Sequence, residues 1–195
     1  MDQIKPKLKI VNLLFTLLVI ISFLSCGDGI SKQPVTAAGF EAIELELKSK
    51  FGDDAYYTDL TITYNESIGN IIGVTVTENP ESLQMGQWNL TQNTWKQNQD
   101  ISIEVPQGSK ATDFMFQLDD KINLSTLGEL AEISTKKLTV EKNLENSVLS
   151  MAFVKFPKNG DISKTEYTVM LRPETGGTTF TFRYNLNGEL IKMNY

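Results

Sequence analysis

The chain has 195 residues, with 18 Lys and Arg against 24 Asp and Glu and no histidine, and this already removes several chemistries. A net charge of −6 argues against nucleic acid as a partner, because such binding rests on Lys and Arg neutralising phosphates. Without histidine, Ser-His-Asp and Cys-His catalysis in their usual forms and His-built zinc sites are excluded, and 41% hydrophobic residues is the content of a folded chain.

The first stretch with a clear pattern is Ile10 to Cys26. Lys5, Lys7 and Lys9 precede it, the apolar run reaches Leu24, and Gly27-Asp28-Gly29 follows. A basic start, a short apolar run and a small residue before a break form the pattern of a secretory signal peptide. The run is short for a membrane-spanning helix, which needs about 20 predominantly apolar residues. The only cysteine of the chain, Cys26, stands at the expected cleavage point. Leu24-Ser25-Cys26 resembles the core of a bacterial lipoprotein signal, with Phe23 where that box usually has Leu.

That resemblance implies a lipidated Cys26, with residues 1–25 removed as a signal peptide and 26–35 left as a tether. Each buried methylene of an acyl chain is worth about 0.8 kcal/mol, and two or three chains hold a protein on a membrane durably. Removing Lys5, Lys7, Lys9 and Asp2 leaves 15 basic and 23 acidic residues, a net charge of −8. The expected location is a cell or outer membrane, lipid-anchored. Some lipoproteins of the outer face carry an acidic run just after the cysteine; here Asp28 stands alone, which slightly favours a periplasm-facing position.

After the tether the spacing predicts a helix from Thr36 to Phe51. Phe40, Ile43, Leu47 and Phe51 recur at helical steps, acidic residues come early, Lys48 and Lys50 come late, and Gly52 closes it. The period then changes to two. Leu60 to Tyr64, Ile72 to Val76, Leu83 to Leu90, Thr94 to Gln97 and Ile101 to Val105 read as strands of an antiparallel sheet with one face packed. Asp113 to Leu118 reads as a strand or a buried connector.

A second helix is expected from Ser125, taken as its cap, with Leu127, Leu130, Ala131, Ser134 and Leu138 on one face. Its tail, Lys137 to Glu141, could instead be a short strand. Val148 to Phe156, Glu166 to Leu171, Phe180 to Tyr184 and Leu190 to Tyr195 follow as strands. Asn187-Gly188 is a two-residue hairpin signal between the last two.

Both halves therefore read as a helix and then about four strands. Gln87-Trp88-Asn89-Leu90 and Arg183-Tyr184-Asn185-Leu186 echo one another at the end of the third strand of each. The expected fold is α+β, with two similar units at 36–118 and 119–195, each a helix packed on an antiparallel sheet of about four strands. This order resembles the PepSY-like and beta-lactamase-inhibitor-protein-like domains of exported bacterial proteins. The pieces that carry it are Leu124-Ser125-Thr126-Leu127-Gly128-Glu129-Leu130, Tyr167-Thr168-Val169-Met170-Leu171, and Gly177-Thr178-Thr179-Phe180-Thr181-Phe182 leading to Leu186-Asn187-Gly188-Glu189-Leu190. The resemblance implies a non-catalytic envelope module that binds or inhibits other proteins, and it supplies no functional residues.

Candidate chemistry is sparse, and no enzyme activity or cofactor is expected. Asp53-Asp54 and Asp119-Asp120 are paired carboxylates in polar links, where neighbours in sequence point apart. Asn159, Gly160 and Glu166 fit part of a calcium loop, but Lys155 and Pro157 stand where carboxylates are needed. Ser125 or Thr126 with Lys136 would be a bare Ser-Lys pair. Trp88, Trp95 and Tyr184 lie near hairpin ends, where exposed aromatics could anchor a protein or sugar partner, although residues of this kind are more often core or edge packing. The preferred reading is a lipid-anchored envelope binding or structural protein, its contacts being the membrane through its lipidated N-terminus and an envelope protein. The alternatives are a small envelope hydrolase with two converging carboxylates, and a lipoprotein that binds a small apolar ligand between its sheets.

Overall fold

The computed structural model describes residues 29–195; the stretch expected to be a signal peptide, residues 1–25, and Cys26 lie outside the described residues. Helix α1 is Ala37–Phe51. The Thr36 side chain accepts the Gly39 N–H at 3.1 Å and so satisfies one of the amides the first turn leaves unpaired. Strands β1 (Tyr56–Asn65), β2 (Gly69–Thr77), β3 (Gln84–Thr91) and β4 (Thr94–Ser102) follow as a meander. Helix α2 is Leu124–Lys142. Strands β5 (Ser147–Lys155), β6 (Glu166–Pro173), β7 (Phe180–Asn185) and β8 (Leu190–Asn194) form a second meander. Gly188, at φ +78°, supplies the left-handed position of the last hairpin.

The fold is α+β, and its strands form one sheet of eight, in the order β4-β3-β2-β1-β5-β6-β7-β8, with every pairing antiparallel. This corrects the expectation of separate four-stranded sheets. The reason is that β1 and β5 pair with each other, Ile62 standing opposite Ala152.

Both helices lie on the same face. Following the register outward from Ile62, one row crosses all eight strands: Trp95, Leu90, Ile72, Ile62, Ala152, Val169, Phe182 and Met193. Every member is apolar, and the inner six are buried. They pack under Phe40, Ile43, Leu47 and Phe51 of α1 and Leu127, Leu130, Ala131 and Leu138 of α2 in one core. Burying a side chain of this size is worth about 1.5–3 kcal/mol. A slip of one residue would move the whole row to the other face, so burial specifies the register.

The α1 boundaries and the buried face of α2 agree with the sequence reading. Several other details differ. Asn123, not Ser125, caps α2: its side chain accepts the Thr126 N–H at 2.8 Å, which places Ser125 inside the first turn. Lys137 to Glu141 stays helical, because Leu138 is buried in the core on the same stripe as Leu127 and Leu130.

No separate strand runs from Ile101 to Val105. β4 continues to Ser102, opposite Gln84, and the chain then leaves the sheet. Ile103, Val105, Ala111 and Met115 cover Met85 and Ile101 at one end of the face away from the helices. The connector then returns: Phe116 stacks on Tyr57 on the helix side and exchanges two backbone hydrogen bonds with it, at 2.8 and 2.9 Å.

The described part of the expected free tether is docked. Ser31 is buried, its N–H donates to Asn93 Oδ1 at 2.8 Å, and its Oγ accepts the Asn93 N–H at 2.9 Å. Asn70 Nδ2 donates to Gln33 O at 2.7 Å. These bonds fasten the segment to the β3–β4 turn and to β2.

Candidate functional site

The aromatics singled out as partner contacts lie on the helix face. Trp88 and Trp95 pack edge-on against Phe51 at 5.7 and 5.1 Å between ring centroids. Trp95 Nε1 donates to Glu46 Oε1 at 2.9 Å, and Lys50 lies over the Trp88 ring at 4.8 Å. Tyr184 is only 2% exposed, and its hydroxyl is 2.7 Å from Ser134 Oγ. Their strand phase explains this core and edge packing. Trp88 and Tyr184 alternate in step with Leu90 and Phe182, so they point under the helices even near a hairpin end.

The carboxylates divide in the same way. Asp53 and Asp54 are exposed in the turn after α1. Asp119, Asp120, Glu41 and Glu44 line a cleft of about 450 Å³ between α1 and the start of α2. Two of these are committed to structural bonds. Asp119 Oδ1 accepts the N–H groups of Lys121 and Ile122, at 2.8 and 2.9 Å. Glu44 accepts from Lys48 and from Leu124 N–H, both at 2.7 Å. Among the described residues no group of three or more acidic or cysteine side chains is placed to hold a metal ion.

Ser125 and Lys136 sit on one helix, separated by roughly 16 Å of axial rise, which no Ser-Lys pair can span. The partial calcium loop is a strand-turn-strand: β5 ends at Lys155, β6 starts at Glu166, and the Glu166 carboxylate is held by Arg183 at 2.6 and 2.7 Å.

The remaining constellation is the face of the sheet opposite the helices. The row next to the buried one runs Lys96, Asn89, Gly73, Thr61, Phe153, Thr168, Arg183 and Lys192, again through all eight strands. Beside it run Ile71, Thr63, Met151, Met170, Thr181 and Asn194. Phe153, Met151, Met170 and Ile71 are half-buried and belong to neither apolar core of the described residues.

Their side chains therefore form a small apolar centre among threonines, with cations at both ends of the row. Arg183 makes a bidentate pair with Glu166, and Lys155 reaches the same carboxylate at 3.7 Å. The guanidinium beside it holds the Glu166 carboxyl below the usual range, with Lys155 adding to the effect.

Sequence reasoning missed this centre. β5 reads Val-Leu-Ser-Met-Ala-Phe-Val, apolar in both phases, so a single strand could not say which side faces the helices. The neighbours in β1 and β6, Thr61 and Thr168, mark the polar phase once the register is known.

The fold and site define an α+β protein whose sheet carries both helices on one face and, among the described residues, is open on the other except at the end that the 103–115 connector covers. No protein-family model matches the chain, and no curated protein or solved structure matches it. Among the described residues no helix is long and apolar enough to cross a membrane.

Proposed function

We propose that this chain is a non-catalytic, lipid-anchored protein of the cell envelope that binds another protein on the helix-free face of its sheet. The observation that carries the reading is the row centred on Phe153. A half-buried aromatic surrounded by Thr61, Thr63, Thr168, Met151 and Met170 offers apolar area with short polar side chains around it. Aromatic residues and methionine are enriched at the centres of protein interfaces, where a few well-packed side chains carry most of the binding energy inside a rim that excludes water.

Two similar units, 36–118 and 119–195, support the reading further. The element order helix and four strands occurs twice, the sheet is ordered outward from β1 and β5, and each helix lends a glutamate to the other. A duplicated helix-and-meander unit is what the resemblance to PepSY-like and beta-lactamase-inhibitor-protein-like domains implies. The anchor rests on Lys5 to Cys26, with cleavage before Cys26 and acylation of its thiol.

Two measurements test the reading. Cys26→Ser should abolish acylation and membrane association, read by intact mass and fractionation; an unmodified mature mass in the soluble fraction for the native protein would remove the anchor. Replacing Phe153 by p-benzoylphenylalanine in the whole chain should give light-dependent protein adducts in cells. The same replacement at Leu45, exposed on α1, should give none. Adducts at Leu45 and none at Phe153 would overturn the assignment of the face.

A further inference from the structure

Resting on that reading, we propose that the partner presents an acidic segment carrying an apolar side chain to the β5–β8 half of the helix-free face. The charge placed there is the reason. On the outward phase of β5 to β8 stand Lys155, Arg172, Arg183 and Lys192, against one carboxylate, Glu166. Arg172 is met by Glu66 from the β1–β2 turn at 3.3 Å. That leaves Lys155 and Arg183 sharing the Glu166 carboxylate and Lys192 beside them outside any ion pair of the described residues, in a chain whose overall charge is −6. A local cationic excess on an acidic protein is not a by-product of composition.

The excess borders the apolar centre. Arg183 stands directly opposite Thr168, and Thr168 directly opposite Phe153. Lys192 follows on β8, with no carboxylate within ion-pair distance among the described residues. A segment whose apolar side chain covers Phe153 would therefore bring its flanking carboxylates over Arg183 and Lys192. Complementary charge of this kind steers encounter and excludes partners of the wrong sign. Because Arg183 is already held by Glu166 in a fixed fork, its remaining donor capacity is pre-oriented rather than searching.

The test uses the whole purified chain in detergent and three probes: a labelled Glu-rich peptide with a central leucine, its Lys-rich counterpart, and phosphatidylglycerol vesicles. The Glu-rich peptide should bind and the Lys-rich one should not, with binding weakening as salt rises. The double variant Lys155→Glu, Lys192→Glu should lower that affinity by about tenfold or more. The exposed-helix variant Lys136→Glu should leave it unchanged, and circular dichroism should match wild type in both. Equal binding of the two peptides, or no effect of the double variant, would overturn the proposal. So would vesicle binding stronger than peptide binding, which would assign the basic strip to a membrane surface. If any of these results coincided with Phe153 adducts in cells, the docking face would stand and only its acidic preference would fall.

Discussion

Glu44 of α1 accepts the backbone N–H of Leu124, the first residue of α2, at 2.7 Å. The reverse contact also exists: Glu132 of α2 accepts the N–H of Ala37, the first residue of α1, at 3.1 Å. The helices therefore run antiparallel, each placing a carboxylate at the other's N-terminus. Amides there lack intrahelical partners and the helix dipole is positive, so the carboxylates satisfy both needs.

The two contacts should not be equal. Leu124 is fully buried, whereas Glu132 and Ala37 are half-exposed. Glu44→Ala leaves a buried N–H without a partner and is expected to destabilise by about 1.5–3 kcal/mol. Glu132→Ala should cost about 0.5–1 kcal/mol, since water can replace the carboxylate. Urea unfolding midpoints of the two variants check this, and equal losses would contradict the burial argument.

At Gly128 the backbone of α2 lies close against the start of α1. A Cβ added there would lie 2.3 Å from Thr36 O and 2.9 Å from the Ala37 Cα, both backbone atoms that cannot step aside cheaply. Helix propensity alone would make Gly128→Ala stabilising by about 1 kcal/mol. The clash should win, with a net loss of about 1–3 kcal/mol, because relief requires parting two helices over a packed core. Thermal unfolding settles the sign; a raised midpoint would mean that the helices separate freely.

The tyrosines under the helices make the protein sensitive to alkali. Tyr167 is fully buried, and its hydroxyl accepts the Asn123 N–H at 3.0 Å. Burial pushes its phenol up to about 12, against the pull of the Asn123 bond, and the negative charge of Glu44 adds to the rise. Burial raises Tyr57 as well. An unfolded phenol ionises near about 10. The tyrosines' contribution to stability is thus fully present below that pH. It is lost as pH rises toward the folded value, because the unfolded chain gives up protons first. Tyr167→Phe should lower stability at neutral pH by about 0.5–1.5 kcal/mol, since Asn123 loses its acceptor. Above pH about 10 it should show a shallower decline than wild type. Denaturant titrations across that range measure both, and an unchanged slope would exclude Tyr167 as a source.

Local patterns determined most of the elements. Helical spacing from Phe40 to Phe51, with Thr36 before it and Gly52 after it, was enough to place α1, and Leu127 to Leu138 placed the buried stripe of α2. Most strands were legible: alternation marked β1, β2 and β7, a run apolar in both phases between turn signals marked β5, and Asn187-Gly188 placed the last hairpin. The exception was β4, whose residues Lys96 to Asp100 are all polar and exposed, so no alternation marked its continuation to Ser102.

Tertiary structure decided how these pieces join. Pairing between β1 and β5 is a contact between residues some ninety positions apart, and neither strand carries a local mark of it. That pairing turned two expected sheets into one and set a single register for all eight strands. It also sorted the side chains by face. Trp88, Trp95 and Tyr184 went under the helices, while Phe153, apolar but out of phase with Ala152 and Val154, went to the helix-free side. A strand's own sequence gives its period, but which phase is covered depends on which neighbours it pairs with and which helix lies above.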